Sequence, residues 1–284
     1  MTWTGMRWPA GRVSLVLAVL AAVVGVVVGA CGAVGGSEGA EGSGGRARTS
    51  PAAAVTAGLR DAERATRAAR SARVESSTRI GSTVSLTAEG VLGWSDGVTG
   101  TLTLTHTGGA LADTMRELGS TSIQARYLPD AYYARMGDAF AAKTGGRHWV
   151  RYPYEELDDV AGGSRAQLGD QIRASTPDRS LRSLLDSADV REVGVERVRG
   201  RAATRYAGTV ESADGAEAGV FGQTVEVWID DRDLLVKKVE RARTPDGEVT
   251  QTAHYRDYGV RVPTRRPPVE DTAEVSELLA GDAG

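Results

Sequence analysis

The sequence has no asparagine, two phenylalanines, three lysines and one cysteine among its 284 residues. A single cysteine excludes an internal disulfide, so packing and hydrogen bonds must hold the fold together. Because phenylalanine is so scarce, we expect an apolar core built mainly from valine, leucine and alanine. Nearly all basic residues are arginine, a bias typical of GC-rich bacterial coding sequences.

Several signatures of catalysis and cofactor binding are also missing. The three histidines, His106, His148 and His254, lie far apart, and none has a second histidine two to five residues later, as a zinc site would need. No glycine-rich loop carries the lysine of a phosphate-binding loop. The net charge of −3, with arginines scattered along the chain, does not favour nucleic acid as a partner. The sequence predicts no metal, no cofactor and no enzyme.

The N-terminus has the three parts of a secretory signal peptide. Arg7 and Arg12 form a positive region, residues 13–28 are apolar or small except for Ser14, and Gly29-Ala30-Cys31 follows. Small residues directly before a cysteine are typical of a lipobox, in which the thiol is acylated before cleavage. An uncleaved membrane helix is the alternative, because residues 13–30 are just long enough to span a bilayer. We predict that residues 1–30 are removed and that Cys31 anchors the chain by palmitate-like acyl groups.

The predicted organisation beyond the anchor is a linker, a domain and a tail. Residues 31–51 are rich in glycine and serine and predict a flexible linker with a reach of about 25 Å. The domain is expected over residues 52–268, and residues 269–284 are expected to form a C-terminal tail. This layout predicts a lipid-anchored protein on the extracytoplasmic face of the cell membrane.

Hydrophobic periodicity predicts a fold of class α+β. Residues 52–73 have helical spacing of their apolar positions, and short helices are predicted near residues 111–119 and twice within 164–188, on either side of Pro177. Alternating segments predict strands, most of them in consecutive hairpins. The strand segments are 74–80, 83–86, 101–105, 120–128, 132–136, 190–198, 201–210, 223–229, 234–243 and 248–258. We expect a large, mostly antiparallel sheet with helices on one face.

The chain resembles a group of actinobacterial lipoproteins that includes LppX, LprA, LprF and LprG and is related in fold to the lipoprotein carrier LolA. The resemblance lies in the order and spacing of short stretches rather than in one motif. These stretches are residues 68–74, 127–134, 148–150, 224–239 and 255–260, with Pro267 and Pro268 beyond them. It implies a curved, mostly antiparallel sheet shaped as a half-open barrel, with helices over its concave face. The chain departs from the group in being longer around 139–146 and 213–222.

The same resemblance implies a cavity for acylated lipid or glycolipid, possible transfer of that lipid across the cell envelope, and no catalytic residues. Candidates for the apolar wall are strand residues on the expected inner face: Leu86, Leu102, Leu104, Val225, Val227 and Ile229. The alternative is that these six residues form an ordinary closed core. In that case the protein is a non-enzymatic envelope interaction or sensing lipoprotein. The partners expected are the membrane, an acyl lipid and a transporter or other envelope protein.

Overall fold

The computed structural model describes residues 51–117, 119–156, 176–210, 221–245, 247–263 and 265–281. The predicted signal peptide, Cys31, most of the linker and the first of the two helices predicted within 164–188 lie outside these ranges.

The described chain contains twelve strands, five α-helices and one 3₁₀ turn. The helices are α1 (Pro51–Ala69), α2 (Ala110–Glu117), α3 (Asp138–Ala141), α4 (Pro177–Leu185) and α5 (Val275–Gly281), and the 3₁₀ turn is Val269–Asp271. The strands are β1 (Ser71–Ile80), β2 (Val84–Gly93), β3 (Thr99–Gly108), β4 (Ser122–Tyr127), β5 (Ala131–Arg135), β6 (Trp149–Pro153), β7 (Arg191–Val198), β8 (Arg201–Val210), β9 (Phe221–Asp230), β10 (Leu235–Thr244), β11 (Gly247–Arg256) and β12 (Thr272–Glu274).

All twelve strands belong to one open sheet. Their order is β12-β6-β5-β4-β3-β2-β1-β11-β10-β9-β8-β7, so β12 and β7 are the edges and the sheet does not close into a barrel. Every neighbouring pair is antiparallel except β12 and β6. Most neighbours in the sheet are also neighbours in sequence, as expected for consecutive hairpins. The prediction of class α+β with a mostly antiparallel sheet is confirmed.

A reciprocal pair of glycines fixes the close approach of β2 and β3. A Cβ atom on Gly90 would lie 2.1 Å from the carbonyl oxygen of Thr101, and one on Gly100 would lie 2.1 Å from that of Val91. Both glycines have positive φ, of 154° and 141°. Only glycine fits at these two positions without a shift of the facing backbone.

The two faces of the sheet are covered differently. We call the face that carries the helices the inner face, because buried residues of α1, α2 and α4 join its strand residues in one large apolar cluster. The outer face carries two smaller clusters. One contains Trp228 and Val239, and the other contains Tyr133 and Trp149. Both faces of several strands are therefore buried.

The C-terminal segment crosses the outer face and then joins the sheet. Ser71 Oγ donates a hydrogen bond to Val260 O at 2.6 Å, and Arg126 donates one to Arg265 O at 2.9 Å. Beyond these contacts, β12 pairs in parallel with β6, and Val275 of α5 enters the inner cluster. The described fold thus continues past Pro268 into the segment that the sequence analysis sets apart as a tail.

Candidate lipid-binding face and its helical cover

The six candidate wall residues all lie on the inner face and all are buried. Leu86, Leu102 and Leu104 lie on the adjacent strands β2 and β3, and the other three lie on β9. Their relative exposure ranges from 0% to 5%, and all six belong to the same apolar cluster. As described, this face is closed, and nothing enters beside these residues without displacing the helices.

The structure brings the six candidates together as two groups rather than one. Between β3 and β9 lie the strands β2, β1, β11 and β10. With strands about 4.8 Å apart, β3 is roughly 24 Å from β9 along the sheet, and β2, which carries Leu86, is roughly 19 Å from β9. Inner-face residues such as Val74 and Tyr255 connect them within the cluster. The apolar surface is thus a broad strip that crosses the sheet.

Helix α1 covers this strip because its apolar residues have helical spacing. Val55, Leu59, Ala62 and Thr66 are buried, and alanine and arginine, good helix formers, fill the exposed positions. The helix ends at Ala69, and Arg70, which has a φ of 61°, turns the chain into β1. Thr66 then ties the end of the helix to the sheet in two ways. Its hydroxyl accepts a hydrogen bond from the backbone N of Leu235 at 3.2 Å, and its carbonyl accepts one from Trp94 Nε1 at 3.1 Å.

Helix α4 lies beside α1 on the same face. It begins at Pro177, which is favourable in the first helical turn because its missing N–H would have no partner there. Leu181 and Leu184 are completely buried and join the inner cluster. This helix confirms the second of the two predicted within residues 164–188.

Four alternating charges join α1 to α4. Within α1, Arg67 pairs with Glu63, and within α4, Arg182 pairs with Asp178. Across the two helices, Arg67 Nε lies 3.6 Å from Asp178 Oδ2, and Arg182 Nε lies 3.5 Å from Glu63 Oε1. The acid side chains are 8% and 2% exposed, whereas the arginines are about half exposed. Each buried carboxylate is thus compensated, and we call this group the four-charge cluster.

A buried ion pair joins α4 to the middle of the sheet. Lys238 Nζ on β10 lies 3.1 Å from Glu240 Oε1 and 3.1 Å from Ser180 Oγ on α4. Ser180 in turn donates a 2.6 Å hydrogen bond to Glu240 Oε1. Burial disfavours the charge of the lysine, but the adjacent carboxylate outweighs this and raises the pKa of Lys238 above its ordinary value. Sequence reasoning missed these residues.

Two buried acceptors next to this pair have no hydrogen-bond partner within the described part of the chain. They are Glu240 Oε2 and Gln251 Oε1, on residues that face each other across β10 and β11. A buried acceptor without a donor costs about 1–3 kcal/mol. The closed arrangement of the helices on the sheet therefore contains an unfavourable polar contribution.

One end of the inner face is aromatic. The Tyr127 and Tyr132 ring centroids lie 5.2 Å apart, and those of Tyr132 and Tyr152 lie 5.7 Å apart, in tilted arrangements. Burial raises the pKa of all three hydroxyl groups above the ordinary value of tyrosine. The large side chains that phenylalanine would usually supply are thus provided here by tyrosine.

One motif match has the wrong structural context for catalysis. From the sequence we expected no serine in the setting of a nucleophile elbow, but residues 93–97 read Gly-Trp-Ser-Asp-Gly, which has that spacing. An elbow places its serine between a strand and a helix. Here Ser95 is exposed in the loop between the antiparallel strands β2 and β3. Within the described ranges there is also no group of three potential metal ligands, and no helix long and apolar enough to cross a membrane.

Comparison with known proteins places the chain among lipoproteins. No family model matches it. A Streptomyces coelicolor protein named "Putative lipoprotein SCO4650" is 58% identical over 208 residues, which cover 73% of this chain and 70% of that protein. The chain belongs to this Streptomyces lipoprotein family. A second relative, an uncharacterised 31.2 kDa protein of Streptomyces griseus, is 44% identical over 227 residues, covering 73% of this chain and 74% of that protein.

The fold matches that of a mycobacterial lipoprotein. The crystal structure of LprF from Mycobacterium bovis superposes with a TM-score of 0.50 at 16% identity, covering 76% of this chain and 98% of that chain. At this identity the likeness concerns the fold alone. The resemblance to the LppX and LprF group is confirmed.

Proposed function

We propose that this protein is anchored through Cys31 to the extracytoplasmic face of the cell membrane and binds an acylated lipid or glycolipid between the inner face and the helices α1 and α4. The observation that carries the proposal is the broad apolar strip that α1, α2 and α4 cover. Acyl chains would replace helix side chains on that strip, and each buried CH₂ contributes about 0.8 kcal/mol.

The way in which the helices are held supports reversible opening. The four-charge cluster and the Lys238–Ser180 contact are polar, so water can solvate the separated groups again when a helix moves. Hydration of Glu240 Oε2 and Gln251 Oε1 would also remove the penalty of two unpartnered acceptors. Opening therefore costs less than separating a purely apolar layer of the same area.

A second function is favoured by the complete burial of the six candidate residues. If the inner face never opens, it is an ordinary core, and the protein acts through its surface as an envelope interaction or sensing lipoprotein. The two functions differ in one observable property, which is whether the purified protein carries lipid.

Native mass spectrometry separates these two functions. The chain from residue 32 onward keeps every described contact, and it is to be expressed for export in its own host. We expect a reproducible bound mass that organic extraction releases as acyl lipid, and re-uptake of that lipid by refolded, lipid-free protein. A clean mass for the protein alone, together with no uptake of added acyl lipids, overturns lipid binding and leaves the interaction function.

A further inference from the structure

The first segment of the folded chain, which contains α1, carries more basic than acidic residues. Residues 51–73 carry five arginines and two acids, whereas residues 74–284 carry 25 basic and 33 acidic residues. Residues 51–73 therefore carry a net charge of +3 within a mostly negative chain, and they form the first segment after the predicted linker.

Four of these arginines form a row along the solvent side of α1 and its end. Arg60, Arg64 and Arg67 are spaced by four and three residues, so they follow one another on the same side of the helix. Arg70 comes directly after the helix. All four are exposed, and the side chains of Arg64 and Arg67 are 73% and 55% accessible. We call these four residues the arginine row.

Internal ion pairs neutralise two of the four arginines of the row. Arg64 pairs with Asp61, and Arg67 takes part in the four-charge cluster, which is balanced in itself. Among the described residues, Arg60 and Arg70 have no side-chain ion pair. The positive charges of Arg60 and Arg70 are thus available to an external anionic surface.

The distance from the predicted anchor brings such a surface within reach. Nineteen residues lie between Cys31 and Pro51, and a glycine- and serine-rich chain of that length has an r.m.s. reach of about 25 Å. Anionic headgroups attract basic side chains at short range, and this attraction falls off within a Debye length. An anchored chain therefore keeps α1 at a distance from the bilayer where contact is favourable.

We propose that the arginine row docks on the anionic phospholipid headgroups of the membrane that holds the chain. This contact adds to the acyl anchor and turns α1, one of the helices that cover the apolar strip, towards the bilayer. The tether belongs to the function proposed above, whereas the docking needs neither the anchor nor a lipid inside the fold. The two are therefore tested separately.

Vesicle co-sedimentation of the unanchored chain, residues 32–284, tests the docking. The vesicles are phosphatidylcholine alone, or phosphatidylcholine with phosphatidylglycerol. We expect affinity for the anionic vesicles to be at least tenfold higher and to fall steeply between low and high salt. The variant Arg60→Gln/Arg64→Gln/Arg70→Gln should lose most of this preference. Arg67 is left unchanged because it compensates buried acids.

A matched control removes the same charge elsewhere. Arg79, Arg191 and Arg243 are exposed arginines on β1, β7 and β10, and replacing all three by glutamine should leave the anionic preference within about twofold of the wild-type value. Equal affinity for both vesicle types overturns the proposal, and so does an equal loss in the two triple variants. Circular dichroism of each variant confirms that a loss of binding is not a loss of fold. Neither outcome depends on whether lipid co-purifies with the protein.

Discussion

The hydroxyl of Ser180 on α4 lies 3.1 Å from the ammonium group of Lys238 on β10. This contact joins the helical cover to the middle of the sheet at a fully buried point. This hydrogen bond restricts the position of α4 more than burial alone would, because a hydrogen bond tolerates only a narrow range of distances and angles. Helix and sheet therefore have one preferred register in the closed state.

Replacing Ser180 by alanine should destabilise the fold. The change removes a donor to Glu240 and an acceptor from Lys238, and both charged groups stay buried. We expect a loss of about 1–3 kcal/mol in the free energy of unfolding, measured by urea denaturation. Ser183→Ala is the matched control on the same helix, because its hydroxyl bonds only to Arg179 O. Equal stability of the two variants contradicts the role given to Ser180.

Breaking the buried ion pair from one side should cost more than removing it entirely. Lys238→Met leaves the Glu240 carboxylate without its cation, and we expect a loss of about 3–5 kcal/mol. The double variant Lys238→Met/Glu240→Leu should recover most of that loss, because no uncompensated charge remains. Lys237→Met, whose lysine lies over the Trp228 ring on the outer face, should cost no more than about 1 kcal/mol. If the double variant loses as much unfolding free energy as the two single variants together, the two residues are not coupled.

The contact between Asp271 and His148 should make the C-terminal segment sensitive to acid. Burial alone would raise the pKa of Asp271, but hydrogen bonds from the ring and the backbone N of His148 lower it below its ordinary value. A lowered pKa stabilises the fold above the unfolded-state pKa of about 3.9, and this contribution is lost as pH falls through the lower folded value.

Comparison of the wild-type protein with Asp271→Asn as a function of pH checks this behaviour. The variant should be less stable at pH 7, and the difference should shrink as the pH falls below about 4. Hydrogen exchange should show that the earliest loss of protection is in β12 and β6. A difference in stability that is independent of pH would contradict the assignment to the Asp271 carboxylate.

The buried tyrosines should resist ionisation. Burial raises the pKa of six of the eight tyrosines, namely Tyr127, Tyr132, Tyr152, Tyr206, Tyr255 and Tyr258. Because the folded state favours the neutral form of these tyrosines, their contribution to the free energy of unfolding should be fully present below pH 10. It should fall as the pH rises above their unfolded-state pKa of about 10. Absorbance at the tyrosinate band should therefore rise mainly together with alkaline unfolding. A smooth titration of most tyrosines near pH 10 in folded protein contradicts this packing.

The sequence predicts most elements here because hairpin patterns are local. The hairpins β4–β5, β7–β8 and β9–β10 all lie within a few residues of their predicted positions, since a turn signal and two alternating segments suffice to define each one. Strand β6, the three-residue β12 and α5 are absent from the predicted elements. The parallel pairing of β12 with β6 joins segments that are more than a hundred residues apart in sequence, and no local sequence pattern predicts it.

The missed part of the site follows from burial on both faces of the sheet. Alternation along β10 suggests that Val239 faces the core and that Lys238 and Glu240 face solvent. In the fold, Val239 packs with Trp228 on the outer face, and the two charged residues face α4. The sequence does not show which of the two buried faces of β10 lies under the helices, because the apolar partners of each face come from distant parts of the chain.

The central claim is that acyl lipid enters between the inner face and the helices α1 and α4, and crosslinking α1 to α4 tests it most directly. The chain from residue 32 onward has no cysteine, so the double variant Arg67→Cys/Asp178→Cys has two thiols, one on each helix. The variant removes one base and one acid together. It leaves Glu63 paired with Arg182. Uptake of a radiolabelled acyl lipid is measured before and after treatment with a short bifunctional thiol reagent. The control is Arg60→Cys with Arg64→Cys, in which the crosslink lies within α1. The account predicts that crosslinking abolishes uptake in the first protein and leaves it unchanged in the second. Undiminished uptake by the α1–α4 crosslinked protein contradicts it.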